Sequence, residues 1–191
     1  MKSIKGTRTE KNLLLSFAGE SQARNRYTYF ASQAKKDGFE QIAAIFLDTA
    51  DNEKEHAKVF FKLLEGGELS ITGTFPAGVI GITRDNLREA AEGEKFENTK
   101  LYPDFAAIAE AEGFADIANT FKEISEVEKG HEARYRALLK NVEEGTVFKK
   151  DKEVVWRCRN CGYLHTGYEA PDECPACKHE RAYYEVFKEN Y

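Results

Sequence analysis

Glu53-Lys54-Glu55-His56 is answered 75 residues further on by Glu128-Lys129-Gly130-His131. Positions three apart on a helix share a face, so each Glu-x-x-His turns a carboxylate and an imidazole the same way. The surroundings repeat at the same offset. Tyr27, Phe30, Ala31, Ala34, Gly38-Phe39, Ile42-Ala43, Phe46 and Leu63-Leu64 correspond to Tyr102, Phe105, Ala106, Ala109, Gly113-Phe114, Ile117-Ala118, Phe121 and Leu138-Leu139. A helix pair has been duplicated.

Apolar rows decide where these ligands point. Phe39, Ile42, Phe46, Thr49, Glu53, His56, Phe60 and Leu63 follow helical spacing, as do Phe114, Ile117, Phe121, Ile124, Glu128, His131, Tyr135 and Leu138. A Glu and a His therefore stand at core positions of two amphipathic helices. A carboxylate there costs several kcal/mol unless it is paired, and a metal ion is the natural partner.

Reading outward, helix 1 is predicted over about 10–36, with Leu13, Phe17, Glu20 and Tyr27 in its row. A turn at Asp37-Gly38 leads into helix 2, ending near Leu64. Residues 66–83 hold five glycines and one proline. They are too Gly-rich for a helix, yet extended they reach roughly 60 Å, enough to traverse a bundle. Helix 3 is predicted from a capping stretch at Thr83-Arg84-Asp85 to Glu112, with Leu87, Ala90, Glu94, Glu97, Leu101 and Phe105 inward and a kink at Pro103. Helix 4 runs from after Gly113 to about Glu144. Four helices with one long crossover have ferritin-like connectivity.

The core-facing candidates are Glu20, Glu53, His56, Glu94, Glu97, Glu128 and His131. Helices 1 and 3 supply carboxylate, and helices 2 and 4 each supply Glu-x-x-His, the ligand pattern of di-iron and di-manganese bundles. Oxygen and imidazole donors suit iron and manganese. The halves are unequal: Glu20 to Glu53 is 33 residues, Glu94 to Glu128 is 34, and Glu97 is a surplus carboxylate. Unequal halves should make the two metals inequivalent. Tyr27 and Tyr102 lie within about two turns of Glu20 and Glu94, so their hydroxyls are expected to bond ligand carboxylates.

The chain has 191 residues and a net charge of −5, enough for one good core and a small appendage. It has no basic run to mark a nucleic-acid surface. It shows no export signal and no apolar stretch near the ~20 residues of a membrane span. All four cysteines fall late, as Cys158-x-x-Cys161 and Cys174-x-x-Cys177. Without an export signal they read as one tetrahedral four-thiolate metal site. Spacing alone allows zinc or iron. The Cys-Gly-Tyr and Cys-Pro-x-Cys contexts and the surrounding aromatics resemble rubredoxin, which holds one iron. His165 and His179 are expected to have surface roles. The expected domains are a bundle over 1–146, a linker over 147–152 and a four-cysteine module of short strands and turns over 153–191.

Taken together, in this order, the two constellations resemble the rubrerythrin family over essentially the whole chain. The resemblance implies a mainly α fold, a ferritin-like bundle joined to a rubredoxin-like domain. It implies two non-haem irons at Glu20, Glu53, His56, Glu94, Glu97, Glu128 and His131, with one further iron at Cys158, Cys161, Cys174 and Cys177. In the family, the residues at Glu97 and His56 exchange at one iron with oxidation state. Its activity is the reduction of hydrogen peroxide, with Glu97, His56, Tyr27 and Tyr102 as the expected catalytic groups. Its electrons come through rubredoxin or an NAD(P)H-dependent reductase, and it works as a cytoplasmic homodimer. Lys178 departs from rubredoxin, where a glycine usually follows the last cysteine. The rival readings are an iron-oxidising storage protein and a zinc-holding module without enzymatic activity.

Overall fold

The computed structural model describes residues 2–190. Its helices are α1 (Arg8–Lys36), α2 (Glu40–Lys62), α3 (Thr83–Phe96), α4 (Tyr102–Ala111) and α5 (Ala115–Glu143). A π segment, Glu97–Leu101, joins α3 to α4. Three strands follow: β1 (Lys149–Cys158), β2 (Leu164–Glu169) and β3 (Tyr184–Val186).

The two helix pairs close alike because each carries Gly-Phe at the same place. Gly38 and Gly113 take left-handed φ values of 83° and 82°. Phe39 N–H then donates to Ala34 O and Phe114 N–H to Ala109 O, which satisfies the last helical carbonyls of each first helix. The crossover runs the length of the bundle. At one end Glu65 accepts from Ser3 Oγ and Ile4 N just before α1. At the other, Thr83 N–H and Oγ1 donate to Asp37 Oδ2 at the end of α1, at 2.8 and 2.6 Å. Helix 3 is thus anchored by Asp37. The capping expected of its own first residues is absent, since Ile82 is the cap residue and makes no side-chain bond.

The third rod corrects the expected kink at Pro103. Backbone angles stay helical throughout the π segment, and Tyr102 N–H reaches back five residues to Glu97 O. Seven residues separate Glu20 from Tyr27, but eight separate Glu94 from Tyr102. The widened turn takes up the extra residue, so Glu94 and Tyr102 both still face the core. Pro103 falls in the first turn of α4, where a missing N–H costs least.

Two apolar clusters fill the bundle. One gathers Tyr27, Phe30, Phe46, Leu87 and Tyr135; the other gathers Leu13, Phe60, Tyr102, Ile117 and Phe121. The buried carboxylates lie between them. Among the described residues, no helix is long and apolar enough to cross a membrane.

The sheet has the order β2-β1-β3, all antiparallel, around a fully buried Trp156. β1 begins at Lys149 and pairs there with Glu169. The stretch expected as a free linker, 147–152, is therefore partly strand. The module packs on the α1–α2 turn of its own chain, where Phe148 stacks on Phe39 with ring centroids 6.0 Å apart.

Candidate metal centre

The repeat puts Glu20 on α1, Glu53 and His56 on α2, Glu94 on α3, and Glu128 and His131 on α5. All four glutamates are at most 1 % exposed. Their ligand atoms form two groups, each within 4.8 Å: Glu20, Glu53, His56 and Glu128, and Glu53, Glu94, Glu128 and His131. Glu53 and Glu128 belong to both. His56 Nδ1 lies 3.0 Å from Glu53 and 2.9 Å from Glu128. His131 Nδ1 lies 3.2 Å from Glu53 and 2.8 Å from Glu128.

Proximity does not satisfy these atoms. Glu20 Oε2, Glu53 Oε1, Glu94 Oε2, both Glu128 oxygens and His131 Nδ1 are buried without a hydrogen-bond partner among the described residues. Orphaned buried polar atoms are rare, because each forfeits its hydration. Six converging on one centre match what a pair of cations needs.

The tyrosines cross between the halves. Tyr27 of α1 donates to Glu94 Oε1 of α3 at 2.6 Å, and Tyr102 of α4 donates to Glu20 Oε1 of α1. Each hydroxyl fixes one carboxylate and leaves its other oxygen for a ligand.

Without metal the site shares protons. Burial pushes Glu20 well above the carboxylate range and Glu94 up to about 8. Burial also acts upward on Glu53, but the adjoining His131 and His56 imidazoles outweigh it and hold Glu53 at about 2. Burial opposes charge on the histidines, yet the Glu128 and Glu53 carboxylates beside them push His56 up to about 9 and His131 up to about 12. Raised folded values mean that the folded metal-free protein binds more protons than the unfolded chain. For Glu94 that window runs from its ordinary value to about 8, and for His56 from its ordinary value to about 9. Metal-free stability should therefore fall as pH rises from about 6 to about 9, by up to ~1.4 kcal/mol per proton per pH unit. Metal loading should strengthen over the same window, because ligands bind deprotonated. Unfolding midpoints of metal-free and zinc-loaded protein at the two pH values should diverge; a metal-free midpoint that rises with pH contradicts this charge distribution.

Glu97 stands apart. It opens the π segment, is half-buried, and belongs to neither ligand group. It lines a cavity of about 260 Å³ with Arg26, Phe75, Leu101 and Phe105 among others. Burial first, then the Glu94, Glu128 and Glu53 charges, keep its carboxyl well above the ordinary range.

In the module, Cys158 Sγ lies 3.7 Å from Cys177 Sγ, and Cys161 Sγ 3.7 Å from Cys174 Sγ. A tetrahedron of thiolates with metal–sulfur bonds of ~2.3 Å has edges of ~3.8 Å, so the sulfurs already form such a shell. Two matching turns present them: Gly162 N–H donates to Cys158 O and Lys178 N–H to Cys174 O. Gly162 and Lys178 both have positive φ, 83° and 63°. A side chain in that conformation costs ~1–2 kcal/mol, so Lys178 strains its turn where glycine would not. The His179 backbone N–H draws the Cys177 thiol down to about 6. His165 and His179 belong to neither metal-binding group.

Two residues outside the sequence-derived set also meet the site. Tyr135 is fully buried against Tyr27 and Phe46, with its hydroxyl unpartnered. Asn52 Oδ1 lies 3.2 Å from His131 Nε2. Tyr135 was visible as a core position, but nothing in the α2 periodicity marks Asn52.

Comparison with known proteins agrees with both halves. The rubrerythrin family profile matches residues 11–139, and the profile for the rubrerythrin rubredoxin-like domain matches residues 156–185. A rubrerythrin of Porphyromonas gingivalis is 61% identical over 190 residues, covering 100% of this chain and 95% of that protein. A rubrerythrin of Nitratidesulfovibrio vulgaris is 55% identical over the full length of both. Among solved structures, partially reduced nigerythrin aligns with a TM-score of 0.64 and 31% identity, over 97% of this chain and 89% of that one. With a ferritin-like bundle and a four-cysteine module matched in the same order, the chain belongs to the rubrerythrin family, and carries its di-iron site together with a rubredoxin-type iron site.

Proposed function

We propose that the protein is a peroxidase that reduces hydrogen peroxide to water, within the iron-dependent oxidative-stress role of its family. The observation that carries this reading is the sharing of Glu53 and Glu128 between two ligand groups. It holds two metals side by side, at Glu20, Glu53, His56 and Glu128 and at Glu53, Glu94, Glu128 and His131. When bound, a pair of Fe(II) supplies the two electrons that cleavage of one O–O bond requires.

The chain's own groups do the rest. Glu97, whose carboxyl is held well above the ordinary range by burial and the neighbouring carboxylates and which lines a cavity, is the proton donor to the departing oxygen. His56 occupies the ligand position and Glu97 lies outside it; with iron bound, Glu97 would be the carboxylate placed to exchange with His56 on oxidation. Tyr27 and Tyr102 hold Glu94 and Glu20 in place through the cycle. The apolar clusters above and below keep bulk water from the site. Cys158, Cys161, Cys174 and Cys177 would hold the third iron, and the chemistry it would supply is one-electron transfer toward the centre. We assign the supply to rubredoxin or an NAD(P)H-dependent reductase, the setting to the cytoplasm, and the working form to a homodimer.

Glu97→Ala tests the assignment. Iron content should be unchanged, because Glu97 lies outside both ligand groups. Peroxide turnover should fall at least ~100-fold, the lower range for loss of a general acid. Metal analysis reads the first, and stopped-flow mixing of anaerobically reduced protein with peroxide reads the second. A wild type that consumes no peroxide under these conditions overturns the function, and a fully active variant overturns the role of Glu97.

A further inference from the structure

The duplication invites a comparison of the two histidines by their outer nitrogens. His131 and His56 are repeat-related and both aim Nδ1 into the centre. His131 Nε2 faces Asn52 Oδ1 across the seam between α5 and α2. The repeat equivalent of Asn52 is Val127, which has no acceptor to offer His56. Among the described residues His56 Nε2 has no hydrogen-bond partner, and its polar contacts run through Nδ1 alone.

The rest of the seam follows the same asymmetry. Arg134 of α5 donates to Asp48 and Thr49 of α2, at 2.8 and 2.6 Å. The repeat equivalents of Arg134 and Thr49 are Val59 and Ile124. The repeat equivalent of Asp48 is Glu123, so the His131 end of the seam is stitched by an arginine that the His56 end lacks. A metal-binding imidazole normally gives its other N–H to an acceptor, which fixes both its tautomer and its plane.

We propose that Asn52 is a positioning residue that makes His131 the fixed imidazole of the centre, and that valine at the equivalent position 127 leaves His56 the displaceable one. The duplicated site is thus made unequal by an Asn/Val difference one residue before each Glu-x-x-His. Asn52 Oδ1 accepts a hydrogen bond from His131 Nε2–H, which leaves Nδ1 as the nitrogen turned toward Glu128 and Glu53. His56, held by its inner nitrogen only, can swing out without breaking a second bond. The inference rests on the metal pair read above, but not on peroxide chemistry.

The test uses full-length protein loaded with zinc, which is diamagnetic and redox-silent. Nitrogen-15 NMR of the imidazoles reports tautomer and Nε2–H exchange for each histidine. In the wild type the His131 Nε2–H should exchange at least ~10-fold more slowly than that of His56. Asn52→Val should erase this protection and weaken one of the bundle's two zinc-binding steps by ~10–100-fold, the usual effect of losing an outer partner. Asn52→Asp retains an acceptor and should restore both, which separates lost positioning from a damaged fold. Val127→Asn should give His56 the protection it lacks. Equal exchange of the two histidines in the wild type overturns the proposal. So does an Asn52→Val protein that binds zinc as the wild type does with His131 still protected. A failed zinc titration with intact His131 protection would instead count against the metal assignment.

Discussion

Glu128→Ala is expected to empty the bundle of metal and abolish peroxide reduction while leaving the four-cysteine iron in place. Glu128 is fully buried on α5. One oxygen lies 2.9 Å from His56 and the other 2.8 Å from His131, and the residue belongs to both ligand groups. Its loss withdraws a donor from each metal at once. Even the loss of an outer partner costs 10–100-fold in affinity, so a shared ligand should cost both ions at least ~100-fold. Metal analysis should fall from three ions per chain to about one, and turnover with it. The metal-free variant is also expected to be less stable, because the buried His131 and the partly buried His56 lose a carboxylate that both contact. Breaking a buried pair typically costs ~3–5 kcal/mol, lessened here because the imidazoles can release their protons. The visible spectrum of the four-thiolate iron serves as an internal control, since that site is built from residues 158–177, outside the bundle helices. A variant that keeps three metals would show that the two groups do not share Glu128.

That outcome follows from what the sequence displays most openly. Glu-x-x-His at helical spacing inside an apolar row fixes the direction of both side chains before any fold is known, and duplication repeats the message. The crossover was legible for a similar reason, since five glycines exclude a helix and the length spans a bundle. The π turn was not. One extra residue between Glu94 and Tyr102 can be absorbed by a kink, a loop or a wider turn, and only the need to keep both side chains inward selects among them. Glu97 shared the apolar row of helix 3 with Glu94 on paper, but the widened turn begins at Glu97 and sets it outside the ligand groups. Asn52 stayed hidden because its partner, His131, comes from another helix 79 residues away. The start of strand β1, at 149–152, was hidden in polar residues, because Lys149 pairs through its backbone with Glu169 and leaves no alternating pattern.

Cys158→Ser should separate electron supply from the chemistry at the bundle. Cys158 is buried at the end of β1, 3.7 Å from Cys177, so its replacement changes the shell of the third iron. Ligand identity is a main lever on such a site, and iron occupancy or potential should shift. The bundle ligands rest in helices with their own core and should be unaffected. Reduced beforehand, the variant should consume one peroxide per di-iron site as fast as the wild type and then stop. Steady-state turnover at the wild-type rate would show that electrons enter the bundle without the module. The route can also be tested. Within one chain the module packs on the α1–α2 turn. The rise along α2 from Glu40 to Glu53 is ~20 Å, a long way for an electron through a helix core. In the homodimer proposed above, the second chain's module would be the alternative donor. A mixed dimer pairing a Cys158→Ser chain with a Glu128→Ala, His131→Ala chain retains one intact site of each kind, on opposite chains. Sustained turnover in that dimer is the expected result, because the intact module would face the intact di-iron site across the interface. Turnover no better than in either parent homodimer would place the relay within one chain.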